Sequence, residues 1–153
     1  MQELVRDHGI VVRAVGAGAG AERDRFPELD LIEWSEASEV ADVQSFDIGI
    51  MPLRDLPFER GKCGYKLIQY MACGKPVVAA PVGVNMDIVR EGENGYLVET
   101  PEGWRDALIK LVRDPELRKR MGDDGRERAV RDYSLAFQAP RLVDLFRSLE
   151  ISR

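Results

Sequence analysis

Five short runs of aliphatic, largely β-branched residues punctuate the chain: IVVRAV at 10–15, LDLIEW at 29–34, DIGIMPL at 47–53, PVVAA at 76–80 and YLV at 96–98. Consecutive apolar positions of this kind suit strands buried on both faces, and helices between successive strands are the connections that parallel pairing requires. The alternation predicts an α/β fold: a doubly wound parallel sheet with helices on both faces.

The most informative stretch lies between Gly61 and Gly83, GKCGYKLIQYMACGKPVVAAPVG. It reads as a glycine-bounded turn, a helix, a second glycine turn, a strand and a Pro-Gly loop. If the helix starts at the first turn, Lys62, Lys66 and Gln69 share a polar face, and Cys63, Leu67, Tyr70 and Met71 share an apolar one. Free backbone N–H groups and the helix dipole favour an anion there, and Lys62 and Lys66 add full positive charge. Gly61 and Gly64 let a ligand come close to the backbone. A phosphate or diphosphate suits this face; an amphipathic helix with solvated lysines is the simpler reading of the same residues.

The 153 residues are enough for one domain with a proper core. We expect one domain over 1–153, with the sheet in 1–99 and a helical part in 100–153. A formal net charge of −5 gives no broad attraction to nucleic acid or anionic membranes, so any anion site must be local. No run approaches the ~18 apolar residues of a membrane span, and MQELVRDHG lacks the apolar segment of a signal peptide, so a cytoplasmic location is expected. Cys63 and Cys73 lie too far apart along one helix to bridge, and a single histidine, His8, argues against a zinc site or a histidine-dependent triad. No metal ligands are assigned, and no catalytic residue.

Taken in order, residues 1–8 suggest the end of a helix stopped by Gly9, so that the chain opens in mid-fold, without the strand that ordinarily precedes such a helix. GAGAGAE at 16–22 follows the first strand and departs from G-x-G-x-x-G at Ala21. Dinucleotide binding and a surface glycine loop are its two readings. Ser35 and Ser38 are candidate caps of a helix over 35–46, and the RDLPFERGK loop follows the third strand. A turn of helix at 85–90 and turn chemistry in EGENG lead to the last strand. Thr100-Pro and Asp114-Pro each start a helix, and Leu142, Leu145, Phe146 and Leu149 mark a third, which Pro140 either starts or kinks. These last helices read as packing material, and RERAVR as a solvated face.

DIGIMPL, ERGKCGYKLIQYMACGKPVVAAPVGVN and IVREGENGYLV, in that order and spacing, resemble the carboxyl-terminal half of GT-B glycosyltransferases of the group that includes bacterial lipopolysaccharide and capsule sugar transferases. The resemblance covers roughly residues 9–135. It implies a Rossmann-like half that binds a nucleotide-diphosphate sugar, with a separate amino-terminal half, absent here, that binds a saccharide or lipid-linked acceptor. The full-length protein would be cytoplasmic or peripheral to the inner membrane.

Many such enzymes carry two glutamates eight positions apart on the central helix, one reaching the donor sugar and one the ribose. By resemblance those places are Gly61 and Gln69. Gln69 can hydrogen-bond a ribose diol, whereas glycine at 61 offers the sugar no side chain. The resemblance therefore implies a donor site of Gly61, Lys62, Cys63, Gly64 and Lys66 for the diphosphate, Gln69 for the ribose and Glu59 for the sugar, with the base near Glu33 and Trp34. The donor would be a UDP-sugar or a GDP-sugar, with no cofactor. A non-catalytic nucleotide-sugar-binding module and a subunit of a split transferase are the alternative readings.

Overall fold

A strand covered by helices on both faces must present apolar side chains alternately to each, and the PVVAA run does so. In a computed structural model, which describes residues 2–17 and 26–150, β4 (Val77–Ala79) is wholly buried. Val78 packs with Leu108, Leu111, Leu117 and Met121 on one side, and Val77 and Ala79 pack with Leu67, Met71, Ile88 and Val89 on the other. These two clusters form the core.

Around this strand the elements follow the expected alternation: α1 (Gln2–His8), β1 (Val12–Val15), β2 (Leu29–Ile32), α2 (Glu39–Gln44), β3 (Gly49–Met51), α3 (Pro57–Arg60), α4 (Tyr65–Ala72), β4, α5 (Asn85–Ile88) and β5 (Gly95–Leu97). All strand pairs are parallel, with Ile50 opposite Val78 and Val78 opposite Tyr96. The pairing comes in two pieces, however, β1 with β2 and β3-β4-β5. IVVRAV is also less buried than its composition predicts: β1 is half-buried and Val11, just before it, is 70% exposed. Among the described residues, β1 is paired along one edge only, to β2.

The carboxyl-terminal part is helical: α6 (Pro101–Arg113), α7 (Pro115–Arg128), a π-helical turn (Ala129–Tyr133) and α8 (Leu135–Glu150). Thr100 Oγ1 accepts from the Gly103 amide at 3.1 Å, and Asp114 Oδ1 accepts from that of Leu117 at 2.9 Å, so both caps form as the sequence predicts. Arg118 donates to the carbonyls of Leu111 and Val112, closing the end of α6.

Several expectations are corrected. The helix expected over 35–46 begins only at Glu39; Ser38 stands at its N-cap, as one of the two candidates, but its side chain makes no cap bond, while Ser35 Oγ accepts from the Ser38 amide at 3.1 Å in the preceding turn. RERAVR is not simply a solvated face, since Arg128 donates to the Asp87 carbonyl at 2.7 Å and Arg126 to that of Ala72, tying α7 to α5 and α4. Pro140 lies inside α8, which runs continuously from Leu135. That helix is only partly packing material, because Leu142, Leu145, Phe146 and Leu149 are exposed. Gly16 opens the glycine run with positive φ, but the rest of GAGAGAE from residue 18 lies outside the described residues.

Gly122 of α7 passes against the turn after α4, where a Cβ would collide with the Gly74 carbonyl oxygen. Gly122→Ala should therefore lower stability in urea denaturation by about 1–3 kcal/mol, although alanine is the better helix former. A stabilised variant would disprove this close approach.

Candidate functional site

The candidate site forms where α4 begins, at the carboxyl ends of β3 and β4. Ligands of open parallel sheets bind at that end because helix amino termini and flexible loops converge there. The helix starts later than its residue spacing predicts. Gly64, at φ 69°, is its N-cap, so Lys62 and Cys63 lie in the approach to the helix and not on its faces. Gly64 is the residue the position demands, since its conformation is left-handed and a Cβ would strike the Ile88 side chain.

No side chain caps α4, and its first turn closes only through the Leu67 and Ile68 amides, which reach the Gly64 carbonyl at 3.0 and 3.3 Å. Among the described residues, the backbone amides of Cys63, Gly64, Tyr65 and Lys66 have no hydrogen-bond acceptor. Successive N–H groups at a left-handed turn make an anion-binding concavity.

The wall opposite α4 is built from two loops. The RDLPFERGK segment contains a helical turn, α3, so Glu59 sits on a helix and is half-buried. Arg60 holds Asp55 through two bonds, 2.6 and 2.9 Å long, which brace this segment on itself. Gly83, at φ 54°, packs the Pro81–Val84 loop onto it, where a Cβ would lie 2.6 Å from the Arg60 carbonyl oxygen. Buried Asn85 donates to the Ala80 carbonyl at 3.0 Å and fixes the far end of that loop.

The two lysines go different ways. Lys62 lies over the Phe58 ring at 5.5 Å from its centroid, within cation–π range. Lys66 approaches Glu39 of α2, with Nζ 3.4 Å from Oε1. Hydrogen bonding first from Gln69, then from Trp34, with Lys66 adding to it, holds the Glu39 carboxyl below the ordinary glutamate range. The Gln69 side-chain oxygen is buried and has no partner. Cys63 is exposed and free. Gly61 has an ordinary φ of −81°, and a Cβ there would meet only the Phe58 carbonyl, at 3.5 Å. The fold does not require glycine at that position.

Of the residues singled out from sequence, Lys66, Gln69 and Trp34 thus converge, while Glu59, Gly61 and Lys62 form a second group along α3. Trp34, 51% exposed, is not a core residue. Glu39, at the centre of the first group, was not identifiable from sequence. It is one of several acidic residues in SEASEVAD, and only the packing of α2 on α4 singles it out. Asn85 was likewise missed, since a lone asparagine in a predicted turn carries no signal of burial. Neither of two cavities in the structure, of about 400 and 410 Å³, includes these residues.

The parallel order and the helices on both faces define a doubly wound α/β domain of Rossmann-like type. Residues 41–128 match the family model described as Glycosyl transferases group 1, and the chain belongs to that family. It is 35% identical over 125 residues to the D-inositol 3-phosphate glycosyltransferase of Corynebacterium glutamicum, covering 80% of this chain and 27% of that protein. Sucrose-phosphate synthase from Thermosynechococcus elongatus superposes with a TM-score of 0.74 at 25% identity, over 86% of this chain and 33% of that one. HepE of Anabaena, solved in complex with UDP and glucose, shares the fold with a TM-score of 0.69 at 19% identity, over 82% and 33% of the two chains. The chain spans about a quarter to a third of the length of these proteins. Among the described residues, no helix is long and apolar enough to cross a membrane.

Because its folded-state carboxyl is the stronger acid, Glu39 stabilises the fold above the ordinary glutamate range, and this contribution is lost as pH falls below it. Denaturation midpoints followed across roughly pH 3–5 should therefore fall less steeply for Glu39→Gln than for the parent. Parallel curves would show that the carboxylate is not held by its neighbours.

Proposed function

We propose that this chain is the donor-binding half of a sugar-transferring enzyme and takes a nucleotide-diphosphate sugar, a UDP-sugar or a GDP-sugar. The observation that carries the reading is the row of amides from Cys63 to Lys66 around the left-handed Gly64, without an acceptor among the described residues, at the carboxyl edge of the sheet. They suit a diphosphate, whose charge they can meet without the desolvation cost of burying a cation. Membership of the family and the UDP bound by HepE support it.

In this reading Lys62 lends charge from above the Phe58 ring, and Lys66 turns from Glu39 towards phosphate on binding. Gln69, which helps hold the Glu39 carboxyl low, offers its unpartnered buried oxygen to a ribose hydroxyl, recovering part of the cost of a buried acceptor left unmade. Glu59 faces the sugar in place of a side chain at position 61. Transfer requires stabilisation of the departing diphosphate, which oriented amides and lysines supply as charge develops. The acceptor and the group that activates it belong to a second, amino-terminal domain.

Calorimetric titration with UDP and GDP tests the site. Lys66→Ala should weaken binding of the preferred nucleotide by about 1–3 kcal/mol, and Gln69→Ala should weaken the nucleoside diphosphate more than inorganic pyrophosphate. Equal affinities in parent and variants would remove both residues from the site. Gly61→Glu should leave stability within about 0.5 kcal/mol, since the position is open; a misfolded variant would show that glycine there is structural.

A second reading, a subunit of a split transferase, is favoured by α8, whose exposed Leu142, Leu145, Phe146 and Leu149 suit a partner surface. In that case nucleotide affinity would rise on adding a separately expressed acceptor domain.

A further inference from the structure

We propose that Glu39 is a specificity-determining residue: by restraining Lys66 and orienting Gln69, it makes the site select a nucleoside diphosphate over bare phosphate. The inference rests on the proposed donor reading. Within it, Glu39 is a positioning residue that acts through two side chains assigned to the ligand.

Glu39 is the first residue of α2, and its side chain is only 23% exposed. α2 packs on α4, and the tilted rings of Phe46 and Tyr70, with centroids 6.2 Å apart, join the chain after α2 to the far half of α4. Lys66 and Gln69 are three residues apart on α4 and so share one side of it. Lys66 Nζ lies 3.4 Å from Glu39 Oε1. Trp34 adds a hydrogen bond to the carboxylate from the chain that leaves β2. Gly16 backs that residue closely, since a Cβ on the glycine would lie 2.9 Å from the Trp34 Cβ. One carboxylate thus meets groups from α4 and from the exit of β2.

This arrangement decides what Gln69 can recognise. A glutamine side chain offers a donor at one end of its amide and an acceptor at the other, and by itself it favours neither kind of ligand. A carboxylate only accepts, so the hydrogen bonding from Gln69 that lowers the Glu39 carboxyl uses the amide nitrogen. The oxygen is left over, buried and without a partner. It can be satisfied only by an incoming donor. Ribose hydroxyls are donors, whereas an ionised phosphate is not. Because a buried acceptor without a partner costs more than an average hydrogen bond gains, a ligand that brings a hydroxyl has a clear advantage.

The second effect is electrostatic. A carboxylate beside Lys66 cancels part of the field that the lysine would exert on an anion at the start of α4. The pair is half-exposed on the lysine side, so it is weak enough for a bound phosphate to compete for the ammonium. Both effects penalise bare phosphate relative to a nucleotide. A carboxylate in the first turn of a helix also meets the helix dipole, but that role touches the stability of α2 and leaves the choice of ligand unaltered.

The test is calorimetric titration of the full chain with UDP, GDP, the 2′,3′-dideoxy form of the preferred nucleotide, and inorganic pyrophosphate. Glu39→Gln keeps an acceptor beside Gln69 and removes the charge beside Lys66; Glu39→Ala removes both. Pyrophosphate should bind both variants about two- to fivefold more tightly than the parent. The parent should prefer the nucleotide over its dideoxy form by at least about tenfold, and only Glu39→Ala should lose that preference. Unchanged discrimination in Glu39→Ala overturns the inference alone, as does equal weakening of every ligand together with a lower melting temperature. If the alanine variant does not fold, Glu39→Gln decides, and no gain in pyrophosphate affinity overturns the inference. A parent that binds the nucleotide and its dideoxy form equally removes Gln69 and Glu39 from recognition while diphosphate binding stands. A parent that binds none of these ligands ends the donor reading itself, and this inference with it.

Discussion

The structure depends on β4. Three consecutive residues, Val77, Val78 and Ala79, are fully buried, and they belong to different cores: the middle one to the α6–α7 side, the outer two to the α4–α5 side. A strand buried on both faces couples the layers, because neither set of helices can shift without opening a void against the other. The same strand fixes the functional end of the molecule, since the loop that leaves it, Pro81–Val84, is one wall of the candidate site. Packing and function thus meet in one short apolar run.

Much of this was legible in the sequence. The β-branched runs identified the strands, and the Thr100-Pro and Asp114-Pro pairs placed two helix starts, because both signals are local and depend on a few neighbouring residues. What was hidden is tertiary. The late start of α4 goes with Gly64 being left-handed, and the space a side chain would need there is taken by Ile88, which is distant in sequence. Glu39 gains its role only from contact between α2 and α4, and Arg128 is drawn from a charge run into a specific bond by a carbonyl 41 residues away. Lys66 and Gln69 do lie on one helix, α4, as their spacing predicts. The grouping of Lys62 with them failed, because the helix does not reach that far.

The electrostatics of the site are local, as a net charge of −5 demands. Lys66 is paired with Glu39 and Arg60 with Asp55, Lys62 keeps its charge over the Phe58 ring, and beside them lie the peptide dipoles of Cys63 to Lys66, without an acceptor among the described residues. Such dipoles are fixed by the fold and need no counter-ion to be stripped away. In the proposed reading, such dipoles favour an anion at one position without attracting polyanions over the surface.

The bracing of α3 has a thermodynamic consequence. Asp55 and Arg60 lock the segment on itself, and Gly83 lets the neighbouring loop rest directly on the Arg60 backbone. Two loops at the mouth of a binding site would ordinarily be ordered by the ligand, and the lost chain entropy would be subtracted from its affinity. Here that entropy is surrendered when the protein folds. A nucleotide bound as proposed would then meet a wall already braced by these contacts, and its residence would depend on the contacts it makes and not on the closing of a loop over it.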